Sequence, residues 1–155
     1  MIIAILVNIL ICFIIALLSG WITRKNLNPW YIELRKPRFN PPKWLFGPVW
    51  TLLYIIISIA GGVLWMHREA QPAALVLYIA QLLLNLSWSF IFFGAHRLFG
   101  AFINLTLLWF TIASIMVLTF STIPFVFWAF IPYIVWISFA WFINFTVWRL
   151  NHQSK

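Results

Sequence analysis

Five runs of about twenty apolar residues each, separated by short polar breaks, constrain this chain more than any other feature it has. A helix of that length just covers the roughly 30 Å hydrocarbon core of a bilayer. The runs fall at about 2–22, 44–66, 73–93, 100–120 and 123–148. Lipid gives backbone N–H and C=O groups no partner, so each run must satisfy its own as a helix, and open sheets are excluded. The expected fold is all-α, an integral membrane bundle of five transmembrane helices, with a long first loop, 23–43, containing a short helix. Breaks as short as those after the second, third and fourth runs make sequential helices antiparallel neighbours. The first run lacks a basic leader, is too long for a signal peptide and is followed by no small-residue cleavage site, so it reads as an uncleaved helix.

Composition agrees with this reading. Hydrophobic residues make up 65% of the 155 and charged residues only 8%, against about 25% charged in soluble domains. No linker divides the chain, so 1–155 is expected to be a single transmembrane domain. Cys12 is the one cysteine, which removes any disulfide framework within the chain. A net charge of +8 suggests nucleic acid at first sight, but the basic residues flank apolar spans rather than line a polar face, so no nucleic-acid partner is expected. Such a pattern records orientation. With five crossings, Arg24, Lys25, Arg35, Lys36, Arg38, Lys43, Arg97, Arg149 and Lys155 share one side, against Arg68 alone on the other. The positive-inside rule then puts the N-terminus outside and the C-terminus in the cytoplasm.

Within the first loop, Asn28 before Pro29 is a cap-and-first-turn signal for a short helix through Leu34. A segment of this length over a small bundle either serves as a lid or lies in the headgroup region, and the residues alone leave both open.

The inventory of catalytic groups is thin. Glu33 and Glu69 are the only carboxylates and fall in loops on opposite sides, so they form no acid/base pair. His67, His96 and His152 have no metal-ligand spacing, and neither a metal site nor a cofactor is expected. No charged residue lies mid-span, which argues against a pump or ion channel. What remains is amides and aromatic rings inside the spans. Gln81, Asn85 and Trp88 share a face of the third helix with Tyr78 and Phe92. Tyr133, Trp136, Ala140 and Asn144 follow the same spacing on the fifth, and Phe46, Trp50 and Leu53 on the second. Amides in hydrocarbon need partners, so these faces should point inward. They are either helix–helix glue or the wall of an aromatic cavity for a flat, apolar ligand.

The stretch KPRFNPPKWLFGPVWTLLY, residues 36–54, resembles the signature of the translocator protein family. That family takes in the bacterial tryptophan-rich sensory proteins and the peripheral-type benzodiazepine receptor. WYIELRKP (30–37), LNLSWSFIFFGAHR (84–97) and PYIVWISFAWFINFTVWRLN (132–151) fit as well. The resemblance covers essentially the whole chain. It implies a homodimer in a membrane, here a bacterial cell membrane, that binds protoporphyrin IX and related tetrapyrroles. It also implies binding of hydrophobic drug-like ligands, the synthetic isoquinoline carboxamides and benzodiazepines, in a pocket beneath the long loop. Carried over residue by residue, the ligand contacts are Tyr31, Phe46, Val49, Trp50, Asn85, Phe90, Ile103, Leu107, Trp136, Ala140 and Ile143. Some bacterial members are implied to degrade protoporphyrin IX with light and oxygen, and Trp50 and Trp136 match the tryptophans assigned to that chemistry. Passive transport of porphyrin or sterol is the alternative. Phe145 stands where the animal sterol motif has a tyrosine, ahead of Arg149, so sterol binding through that motif loses its hydroxyl. Gly100 stands where animal pockets carry a tryptophan.

Overall fold

The computed structural model describes residues 2–152. Met1 and 153–155, including the Lys155 of the charge count, lie outside the described residues. Five long helices are present and the described residues contain no strand: α1 Ile2–Asn26, α2 Lys43–Met66, α3 Pro72–Ser89, α4 Leu98–Thr119 and α5 Pro124–His152. All five are long and apolar enough to cross a membrane. Large apolar side chains cover the outside, among them Ile3, Leu83, Phe110 and Trp128. That arrangement is inside-out for water and ordinary for lipid.

The boundaries correct the sequence reading at the start of the first loop. The first helix does not stop near residue 22. It runs on to Asn26 and then through a π-helical turn, Leu27–Tyr31. The expected separate helix starting at Asn28 is therefore a continuation of α1, and the true connection is short. Pro29 explains the π geometry. It has no N–H for the Lys25 carbonyl and its ring crowds that carbonyl, so a wider turn absorbs it. A second π-helical turn, Phe90–Gly94, carries α3 toward the following bend. At that bend His96 takes a left-handed backbone (φ 55°) and its ring stacks on Trp30 at 4.2 Å.

Each helix packs mainly on two others, in the circular order α1, α2, α5, α4, α3 and back to α1. The third and fourth helices are antiparallel neighbours as expected, and so are the fourth and fifth. The second and third, despite their short connection, touch only lightly because α1 packs against both. A small-residue pair permits this. A Cβ on Gly62 would meet the Ile5 side chain and backbone of α1, and one on Gly61 would run into the Tyr78 phenol. That phenol donates to Asn8 Oδ1 at 3.0 Å, with the Ile57 carbonyl at 3.3 Å. Thus α1, α2 and α3 meet at one buried polar point that needs glycine beside it.

Gly61→Ala should therefore lower stability by about 1–3 kcal/mol through overpacking. Gly20→Ala, where a Cβ meets nothing within 4 Å, should be neutral. Thermal unfolding of both variants in detergent checks this.

Candidate functional site

The middle of the ring is closed by a chain of hydrogen bonds. Tyr54 of α2 donates to Asn85 Oδ1 at 2.8 Å, and Asn85 Nδ2 donates to the Tyr133 hydroxyl of α5 at 2.9 Å. Tyr133 in turn donates to Gln81 Oε1 at 2.9 Å. All four residues are buried. The sequence placed the two amides on one inward face of α3, and they find their partners across the bundle. Within this four-residue network only Gln81 Nε2 has no hydrogen-bond partner among the described residues. One turn nearer the loops, Trp88 Nε1 donates to Asn144 Oδ1 at 3.1 Å, and Asn144 Nδ2 donates to the Leu98 carbonyl at 2.9 Å. Those bonds tie α3 and α5 to the start of α4.

Above this polar floor, toward the loop side, the seam between α2 and α5 is aromatic. Phe46 and Trp136 meet edge-to-face across it at 5.9 Å. Trp50, one turn below Phe46, lies 5.4 Å from the Tyr54 ring and 6.5 Å from that of Tyr133. Val49, Trp50, Trp136 and Ala140 are half-buried and pack on the principal core, and Ile143 is half-buried one turn beyond. The structure thus brings Phe46, Trp50 and Trp136 to one seam, with Asn85 beneath them through Tyr54 and Tyr133. It sets Val49 and Ala140 on the same core; Ile143 is not shown to join them. Tyr31 joins a neighbouring cluster instead, 5.5 Å from Phe93 and 6.2 Å from Phe92, and Trp88 bridges that cluster to the core.

Three expected contacts are not brought to the seam. Phe90, Ile103 and Leu107 are 45–53% exposed on the outer surface. The buried face of α4 is Ala101, Asn104, Leu105, Leu108, Ile112 and Ile115. At about 100° per residue, Ile103 and Leu107 sit more than about 100° around from its centre. Phe90 opens the π-helical turn, where the inward face of α3 passes to Phe92 and Phe93.

The segment after α1 crosses the loop end of the bundle as a strap. Trp30 and Tyr31 rest on the end of α3. Farther on, Asn151 of α5 clasps the backbone of Arg35 from both sides: its Oδ1 accepts from the Arg35 N–H at 3.1 Å and its Nδ2 donates to the carbonyl at 3.0 Å. Phe39 stacks on Phe142 at 5.4 Å before the strap turns into α2. Sequence reading missed Asn151, whose only signal was an amide beyond the last span. Burial raises the Tyr31 phenol above its ordinary value, with Asn40 opposing. Lys36 folds back, donating to the Ile32 and Leu34 carbonyls at 3.2 and 3.0 Å with its ammonium 4.4 Å from the Tyr31 ring. Burial first, and then the charge of Lys43, lower its pKa. Lys36 is thereby a brace of the strap, leaving Arg35, Arg38 and Lys43 as the cations at this mouth.

Two hollows open on the outer flank. One of about 310 Å³ lies between α2 and α5 near Pro132, and one of about 280 Å³ lies between α4 and α5 beside Trp109.

A five-helix intramembrane bundle with an aromatic seam over a hydrogen-bonded floor defines a receptor-like membrane protein. The chain belongs to the TspO/MBR family, whose description matches residues 8–149. It is 40% identical over 129 residues to Protein CrtK of Rhodobacter capsulatus, covering 81% of each chain. It is 34% identical to the tryptophan-rich protein TspO of Chlorobaculum tepidum over 91% of each. The human translocator protein is 35% identical over 127 residues, 79% of this chain and 75% of the relative.

Replacing Asn151 with Ala removes both clasp bonds, each worth about 0.5–1.5 kcal/mol. Tryptic cleavage after Arg35 or Arg38 should accelerate roughly three- to tenfold while helix content stays unchanged. An unaltered rate would show that the clasp does not hold the strap.

Proposed function

We propose that this protein binds a tetrapyrrole, of which protoporphyrin IX is the archetype, in the α2–α5 seam beneath the strap. The observation that carries the reading is the Phe46–Trp136 ring pair at 5.9 Å with Trp50 one turn below. These rings come from two helices and stand over a floor whose polar groups are largely spent on one another. Flat apolar macrocycles are bound by such surfaces through ring stacking and burial. The centre at the level of Tyr54 and Tyr133 is filled by side chains. The macrocycle therefore lies on the loop side of that floor, and its admission parts the Phe46–Trp136 pair. Its propionates point to Arg35, Arg38 and Lys43 at the mouth, and the strap covers it as a lid. Hydrophobic drug-like ligands of the isoquinoline carboxamide and benzodiazepine type use the same seam. The basic cluster at the loop end supports an orientation with that end and the C-terminus in the cytoplasm of a bacterial cell, and the working unit is a homodimer.

Titration with protoporphyrin IX should quench tryptophan fluorescence saturably at micromolar ligand. Trp136→Ala should weaken binding about tenfold, roughly the loss of one well-packed ring contact. Linear, unsaturable quenching would remove the proposal.

Light- and oxygen-dependent breakdown of the bound porphyrin is a second reading, favoured by the Trp50 ring lying against Tyr54 and Tyr133. The ligand supplies the excited state and the oxidisable rings act as electron donors. Under illumination in air, loss of the Soret band should slow in Trp50→Phe and Trp136→Phe relative to wild type. Free porphyrin mixed with tryptophan is the photobleaching control. Equal rates in all proteins would dismiss the catalytic assignment and leave binding untouched.

A further inference from the structure

The outer groove between α4 and α5 has a construction that the α2–α5 seam does not explain. It is lined by Thr106, Trp109 and Phe110 of α4 and by Ser138 and Trp141 of α5. Its polar atoms are all engaged. Trp109 Nε1 donates to Ser138 Oγ and Trp141 Nε1 to Thr106 Oγ1, both at 2.8 Å. The two hydroxyls spend their own hydrogens one turn back, on the Ile134 and Phe102 carbonyls at 2.8 and 2.9 Å. The indoles are thereby pinned open and the groove shows a visitor almost nothing but hydrocarbon and ring faces. A preformed, hydrogen-bond-saturated groove suits a flexible alkyl chain and gives a polar ligand nothing to hold.

From this groove an aromatic wall climbs toward the loop end. Trp141 and Phe145 lie with their planes 10° apart, Phe102 packs on both at 5.0 and 5.2 Å, and Phe145 lies 5.7 Å from Trp148. Arg149 ends the wall, its guanidinium carbon 5.8 Å from the Phe145 ring, with no carboxylate partner among the described residues. At about 1.5 Å rise per residue, Ser138 and Trp141 lie about 12–17 Å below Arg149. That is close to half the thickness of the hydrocarbon core. The cation therefore sits where a lipid phosphate sits, and the groove where the far half of its acyl chain runs.

We propose that this groove is a binding site for one anionic phospholipid, its acyl chain against Trp109 and Trp141 and its phosphate on Arg149. Charge complementarity selects the headgroup, and the pinned indoles select an alkyl chain. The site is independent of the tetrapyrrole reading.

Full-length protein in nanodiscs of phosphatidylcholine tests it, with graded amounts of phosphatidylglycerol or phosphatidylcholine brominated at mid-chain. The difference between wild type and Trp109→Phe isolates the Trp109 emission. Brominated phosphatidylglycerol should half-quench it at a mole fraction at least threefold lower than brominated phosphatidylcholine. Arg149→Gln should bring the two lipids level, and Ser138→Phe, which fills the groove from an exposed position, should abolish quenching by either. Equal quenching by both lipids in wild type, or unchanged selectivity in Arg149→Gln, would overturn the proposal. No quenching from either lipid, as when a second copy of the chain covers the groove, would overturn it too.

Discussion

Inside hydrocarbon, two amides and two phenols have only one another. The Tyr54–Asn85–Tyr133–Gln81 chain follows from that scarcity, and it sets the spacing of α2, α3 and α5 about the bundle axis. Water would let each group find a partner locally, and lipid does not. Apolar packing alone distinguishes poorly between helix faces, because the surrounding tails are as apolar as the helices. The polar chain therefore specifies which faces turn inward, and ring packing fills the space around it.

The rest of the site depends on that floor. With Tyr133 and Tyr54 held, Trp50 packs against both rings and Phe46 meets Trp136 one turn higher. Asn144 repeats the device nearer the loops by joining Trp88 to the Leu98 carbonyl. The strap is attached to both sides of this assembly, through Tyr31 on Phe93 and through Arg35 on Asn151. Floor, rings and strap form one stack along the bundle axis, with the cations at its open end. The flank of α4 and α5 uses the opposite logic. There indole N–H groups are satisfied by hydroxyls, so that the outward surface becomes wholly apolar.

The five spans were legible because a bilayer imposes a length and a polarity that composition must obey. The inward face of α3 was legible for a similar reason, since Gln81 and Asn85 had to lie together. The C-terminal end of α1 was not. Arg24 and Lys25 mark where hydrocarbon stops, but a helix continues freely through the headgroup region, and a π-turn absorbs Pro29. Phe90, Ile103 and Leu107 follow from the resemblance, which carries no information on the helix face each occupies. On α4 the buried Asn104 would have indicated the inward side, leaving Ile103 and Leu107 toward lipid. The partner of Arg35 was unreadable, because nothing local ties Asn151 to a segment 116 residues away.

The central claim is that Asn85 and Tyr133 act as one unit across α3 and α5. A double-mutant cycle with Asn85→Leu and Tyr133→Phe, read from reversible unfolding in detergent micelles, measures it directly. A shared hydrogen bond in this setting predicts a coupling of about 0.6–2 kcal/mol, the pair of changes costing less than the sum of each alone. Strict additivity would mean that the two side chains are neighbours without being partners, and the floor on which the site rests would be gone.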